Sequence, residues 1–212
     1  MTDRAASALS EEPKGATNST LELLLASAAE LFRKKGYAGT TTRELSALIG
    51  LQSASLYYHM SSKEDLLFKL CAATLEDVTA VFDSVFETAR TNDENPLATM
   101  HNLVVGYVEL ILRDHDRHAT MLIEIRSLSE GHRKTIVKQR DKNVRMVQEL
   151  FERAQASNQI RSDIDAHYLT LALFNLLNWS IFWYSAEGEL RPQEIGEMLW
   201  SVFATGSVKQ GA

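Results

Sequence analysis

At 212 residues with 45% apolar content, the chain is long enough to bury one large core or two small ones, as an ordinary globular protein does. Its single cysteine, Cys71, excludes an intramolecular disulfide, and no charged-then-apolar leader opens the sequence, so a cytoplasmic protein is expected. The formal net charge is −6, yet residues 1–70 balance 8 Lys+Arg against 8 Asp+Glu, while residues 71–212 hold 14 against 20. A neutral first third does not advertise nucleic-acid binding by charge, so any such function has to rest on local geometry.

Prolines occur only at positions 13, 96 and 192, no Asn-Gly, Asp-Gly or Gly-Gly dipeptide is present, and apolar residues recur at three- and four-residue spacing throughout. These features predict an all-α protein of about nine helices. Residues 1–17 are small, charged and aperiodic and read as a disordered tail. Ser19-Thr20-Leu21-Glu22 fits a capping box, after which Leu21, Leu24, Leu25, Ala28, Leu31 and Phe32 share one helix face and Gly36 is placed to end it. Thr41-Thr42-Arg43-Glu44 repeats the box and opens a short helix ended by Gly50. A third helix of about two turns must follow from Gln52 or Ser53, and Ser62 with Asp65 caps a long fourth helix reaching to about Arg90. Later breaks are expected at 91–95, 113–117, 128–131, 158–163 and 185–191, where polar, Gly or Pro clusters interrupt the periodicity. The longest apolar stretch, 169–184, is too short for a membrane helix and is interrupted by Asn175, Asn178 and Ser180, so it reads as buried.

Two short helices joined by a tight turn at Gly50 make a helix-turn-helix, whose second helix enters the major groove of DNA. That second helix lies in "SASLYYHMSSKEDLL", residues 53–67. Leu51 and Leu56 face the first helix and anchor it, and Ser53, Ala54 and Ser55 are small enough for the backbone to approach base edges. Tyr57, Tyr58, His59 and Lys63 can reach phosphate oxygens, and Thr41 and Thr42 add hydroxyls and free amides at a helix start. Taken singly, either tyrosine suits a packing role as well, His59 suits the surface, and Lys63 suits solvent.

The whole window "TTTRELSALIGLQSASLYYHMSSKEDLL" resembles the DNA-binding signature of TetR-family transcriptional regulators, with Thr41, Thr42, Gly50, Leu56, Tyr57, His59, Lys63, Glu64 and Leu67 at the family's spacing. The preceding segment is similar to the family's first helix through Phe32, Gly36 and Tyr37. The resemblance implies phosphate contacts from Thr42, Tyr58, His59 and Lys63, and base reading by Gln52, Ser53, Ser55 and Tyr57. Met60 departs from the pattern where an aromatic is usual, a swap that a flexible methionine should tolerate. The implied division is a helix-turn-helix domain at 18–65 and a helical effector-binding and dimerisation domain at 66–212.

For the second domain the resemblance implies a homodimer that reads a palindromic operator and a small effector that releases it, most often from repression. The last two helices, 166–184 and 192–207, are the expected interface, with Leu173, Leu177, Ile181, Met198 and Val202 facing the copy. Asn175 and Asn178 either set the register across that interface or are satisfied within the core. Met100, Leu103, Val104, Tyr107, Met121, Ile125 and Phe151, with Phe174, Trp179 and Trp183, are candidates to line an apolar cavity, although such a stripe equally serves as plain core. The ending "NWSIFWYSAEGELRPQEIGEMLWSVFATG" resembles members that respond to acyl-CoA thioesters, through Trp183, Tyr184, Gly188 and Leu190, which makes an acyl-CoA or related hydrophobic acid the expected effector and Arg113, Arg117 or Arg126 its phosphate partners.

No enzyme, cofactor or metal site is expected. Cys71 lacks a sequence-adjacent histidine, "RDHDRH" with His115 and His118 reads as a polar loop, and no phosphate loop, GxGxxG or HExxH occurs. The competing reading is a helical adaptor or ligand-binding protein whose helix-turn-helix contacts another protein.

Overall fold

Most described helix starts coincide with side chains that take over the amides a first turn leaves free. The computed structural model describes residues 14–48 and 60–207. Within them lie eight α-helices: α1 (Lys14–Gly39), α2 (Thr42–Leu48), α3 (Lys63–Thr91), α4 (Pro96–Arg113), α5 (His115–Glu124), α6 (Glu130–Ala156), α7 (Ala166–Trp183) and α8 (Pro192–Ser207). The expected third helix falls in 49–59, outside the described residues.

Two predicted caps form as drawn. The Thr41 amide donates to Glu44 Oε2 at 2.9 Å and the Glu44 amide donates to Thr41 Oγ1 at 3.2 Å, the reciprocal pair of a capping box. The Lys35 ammonium and then the Thr41 amide and hydroxyl hold the Glu44 carboxyl down to about 2. At α3 the Asp65 amide donates to Ser62 Oγ at 3.0 Å, and Asp65 Oδ2 accepts from the Ser61 amide at 2.8 Å.

Two boundaries differ from expectation. α1 begins at Lys14, so residues 14–17 of the expected tail are helical. The break expected at 113–117 shrinks to Asp114 alone. "RDHDRH" is therefore not a polar loop: it carries the end of α4 and the first turn of α5, and His118 is buried there, its imidazole held down to about 3 chiefly by that burial.

Gly36 does end the regular part of α1, with φ 74° and ψ 157°, a conformation that residues with a Cβ rarely adopt. The chain can then turn sharply towards α2. Leu24, Leu25, Ala28 and Phe32 of α1 pack with Leu45, Met60, Leu66, Leu67 and Leu70 in the core of the head, and the same cluster takes in Met121, Leu128 and Ile136 from later helices. Met60 is 1% exposed and fills its place as an apolar packing group. Along α3 the apolar contacts pass from the head cluster at Leu75 to the second cluster at Val78, well beyond the 65/66 division read from the sequence. The second core joins α3, α4, α6, α7 and α8. α8 lies so close to α4 that a Cβ on Gly196 would stand 3.0 Å from the Val105 Cα. No described helix is long and apolar enough to cross a membrane.

Because Gly36 holds a backbone angle open only to glycine at low cost, Gly36→Ala should lower the unfolding free energy by about 1–3 kcal/mol, read from a denaturant melt. An unchanged midpoint would show that the turn relaxes freely.

Candidate nucleic-acid interface and effector cavity

Of the residues expected at DNA, Gln52, Ser53, Ser55, Tyr57, Tyr58 and His59 lie outside the described residues, while Thr41, Thr42 and Lys63 lie within them. Thr41 is exposed, but its hydroxyl is engaged by Glu44, donating to Oε2 at 2.9 Å. Thr42, the first residue of α2, is half-buried. Lys63 has partners within the protein. Its ammonium donates to the carbonyls of Tyr37 at 2.8 Å and Thr40 at 2.7 Å and stands 4.3 Å from the centre of the Tyr37 ring. Three favourable partners inside the protein leave it little reason to turn to a phosphate.

The turn that Lys63 closes is also held from the far side. The Tyr37 amide donates to Glu124 Oε1 of α5 at 3.1 Å, and the Thr40 hydroxyl donates to the Gly36 carbonyl at 2.9 Å. Further up α5, the Thr120 hydroxyl donates to the Ala29 carbonyl at 3.2 Å, and the buried Arg117 lies near Glu22 of α1, Asp77 of α3 and Asp114 at 3.7, 3.4 and 3.0 Å. A second tie joins α3 to α6: Glu64 accepts from the Ser129 amide at 2.8 Å and meets the His132 ring at 2.9 Å, and that ring stacks on Phe68. Burial pushes the Glu64 carboxyl up, but the Ser129 and His132 contacts outweigh it and hold the group below its usual range.

Opposite α1, α5 forms part of a cavity of about 550 Å³. Leu75 and Val78 of α3, Tyr107 of α4, Met121 and Leu122 of α5 and Phe174 of α7 supply its apolar wall, and Arg140, Asp141, Arg145, Gln148 and His167 stand with them as polar lining. The Tyr107 hydroxyl, pushed up in pKa by burial, donates to Asn178 Oδ1 at 2.6 Å, so Asn178 is satisfied within the protomer. Tyr107 and Phe174 meet edge to face with centroids 5.7 Å apart.

Tyr107, Met121 and Phe174 thus take the places expected of them, whereas Met100 and Val104 are sealed in the core and Ile125 packs against the head cluster. Trp179 and Trp183 do not line the cavity either: they are exposed, and Trp179 meets Phe182 in a tilted ring contact on the outer face of α7. The interface assignment shifts for the same geometric reason. Leu173, Leu177 and Ile181 recur every fourth residue and point into the protomer core, so an interface cannot rest on them. The outer face of α7 instead carries Tyr168, Leu171, Trp179, Phe182 and Trp183, and α8 exposes Met198 and Val202. Arg113 lines a separate cleft with Arg191, Arg117 is enclosed by carboxylates, and Arg126 is absent from the cavity lining.

Residues 24–70 match the family model described as bacterial regulatory proteins of the tetR family, and residues 93–207 match the tetracyclin repressor-like C-terminal domain. The chain belongs to the TetR family of transcriptional regulators. Among its relatives is the transcriptional repressor KstR2 of Mycobacterium tuberculosis, 26% identical over 198 residues that span 93% of this chain and 97% of KstR2. The solved structure of that ketosteroid regulator superposes with a TM-score of 0.83 at 24% identity, covering 91% and 97% of the two chains. AibR in complex with isovaleryl coenzyme A and operator DNA shares the fold, with a TM-score of 0.70 at 23% identity over 86% and 97% of the chains.

For a TetR-family regulator the residues that sequence reading missed are those whose neighbours are distant in sequence. Glu124 and Glu64 look like solvated helix carboxylates until their partners 87 and 68 positions away are known. The cationic run between Arg133 and Arg145, by contrast, stands openly in the sequence.

Lys63→Ala removes two charge-assisted hydrogen bonds to carbonyls, and a loss of about 1.5–3 kcal/mol in stability is expected. In operator titrations the slope of log K on log salt should stay unchanged, where a lost phosphate contact would reduce it by about 0.9.

Proposed function

We propose that this TetR-family regulator is a cytoplasmic repressor that binds a palindromic operator as a homodimer and is released by a hydrophobic acyl effector, an acyl-CoA or a related acid. In this reading Gln52, Ser53, Ser55 and Tyr57 read bases, and Thr42, Tyr58 and His59, with Thr41 at the start of α2, serve the phosphates. The observation that carries the effector half is the position of α5. One of its faces supplies Met121 and Leu122 to the cavity, and from other faces Arg117, Thr120 and Glu124 reach α1. A ligand that displaces the first face displaces the seat of the DNA-binding head. α3 offers a second route, since Leu75 and Val78 border the same cavity and its first turn carries Lys63 and Glu64. The ligand then acts through differential affinity for two arrangements of the heads.

The dimer half rests on the outer face of α7 and α8. Trp179 and Val202 are 65% and 62% exposed, and with Tyr168, Phe182, Trp183 and Met198 they form an apolar surface that a lone protomer would leave in water.

Fluorescence anisotropy against the protein's own upstream DNA at two salt concentrations tests the reading. Affinity should fall steeply with salt and fall again when decanoyl-CoA is added. No binding at low salt would sink it. Val202→Asp, which places a charge on the α8 surface, should convert dimer to monomer in sedimentation velocity and weaken operator binding at least about tenfold.

A further inference from the structure

Two features of α6 have no part in the contacts described so far. The first is charge. Between residues 133 and 145 this helix carries six Lys and Arg against Asp141 alone, in a chain whose net charge is −6. Lys134 pairs with Glu130 at 2.5 Å and Arg140 with Asp141 at 3.1 Å, but Arg133, Lys138 and Arg145 have no ion pair among the described residues. Arg133, Lys134, Lys138 and Arg145 line a groove of about 400 Å³, and Asp141 and Arg145 belong to both this groove and the apolar cavity. Asp141 and Arg145 thus stand where the two hollows border each other. Twelve residues of helix separate Arg133 from Arg145, a run of about 18 Å. A concave cationic groove bordering an apolar cavity suits one molecule with an apolar end and a polyanionic end.

The second feature is an unmet hydrogen-bond donor. Asn143 lines the cavity and is 3% exposed, and its Nδ2 has no partner. Its Oδ1 lies 3.1 Å from the Thr79 hydroxyl, which shares its single hydrogen with the Leu75 carbonyl at 2.8 Å. A buried donor without an acceptor is costly, and a ligand carbonyl would remove that cost.

We propose that α6 reads an acyl-CoA along its length: the acyl chain fills the apolar cavity, Asn143 Nδ2 donates to the thioester carbonyl, and Arg145, Lys138 and Arg133 bind the nucleotide phosphates. This assignment rests on the acyl-effector reading above and separates a thioester from the free acid. Asp141 does not oppose it, because Arg140 neutralises that carboxylate at the junction.

Calorimetric titration of the full-length protein with decanoyl-CoA, with the thioether S-decyl-CoA and with decanoate distinguishes the parts. Decanoyl-CoA should bind about tenfold tighter than the thioether, which lacks only the carbonyl, and about a hundredfold tighter than decanoate. Arg133→Glu with Lys138→Glu should close most of the gap to decanoate, and Asn143→Leu the gap to the thioether. Equal binding of decanoyl-CoA and decanoate would overturn the phosphate groove while leaving a hydrophobic effector in place. Equal binding of thioester and thioether to the unaltered protein would overturn the role of Asn143, as a flipped amide presenting Oδ1 to the ligand would produce. If none of the three binds, this proposal falls together with the acyl-effector reading. Loss of operator affinity in the double variant without ligand would assign the groove to DNA and overturn the proposal.

Discussion

The turn from Gly36 to Thr40 is the constraint on which the rest of the molecule depends. A chain leaving a helix exposes carbonyls and amides that need partners, and here they are supplied from both sides of the molecule. Lys63, at the first turn of α3, takes two carbonyls, and Glu124, at the end of α5, takes the Tyr37 amide. The DNA-binding head is thus tied to the effector domain through the same short turn that orients α2. Glycine at position 36 permits the geometry, and charged side chains from distant segments hold it.

That arrangement explains why the core of the head is not confined to the head's own segment of the chain. Met121, Leu128 and Ile136 belong to the head's apolar cluster although they sit in the second half of the chain. A cavity that shares α5 with this cluster lies one helix thickness from α1. Communication between ligand and DNA then needs no long relay, because the helix that lines the cavity is the helix on which the head rests.

Local patterns in this sequence were legible where the physics is local. The capping boxes at Thr41 and Ser62, the glycine stop at 36 and the apolar face of α1 depend on residues at most a few positions apart. The identity of α7 as a helix apolar on all sides is equally plain, but which face turns inward is not: the period of Leu173, Leu177 and Ile181 marks the core, and the stripe that carries the tryptophans is the exposed one. Only the packing of α4 and α6 against α7 decides which stripe turns inward. Lys63 stands where the family pattern places a cation, and a spacing pattern carries no information about carbonyls 23 and 26 positions away. Asn143 was invisible for a related reason, since its importance lies in a missing partner, and a sequence records residues without recording which bonds they fail to make.

The close seat of Gly196 on Val105 bears on which parts can move. With the backbones of α4 and α8 in direct approach at Gly196 and the Val108 side chain beside them, sliding or rotation of either helix would press backbone against backbone. α4 and α8 therefore behave as one stiff plate. In a dimer joined across α7 and α8, the two plates would serve as a fixed chassis, and any change in the spacing of the reading heads would be measured against it and not absorbed by it.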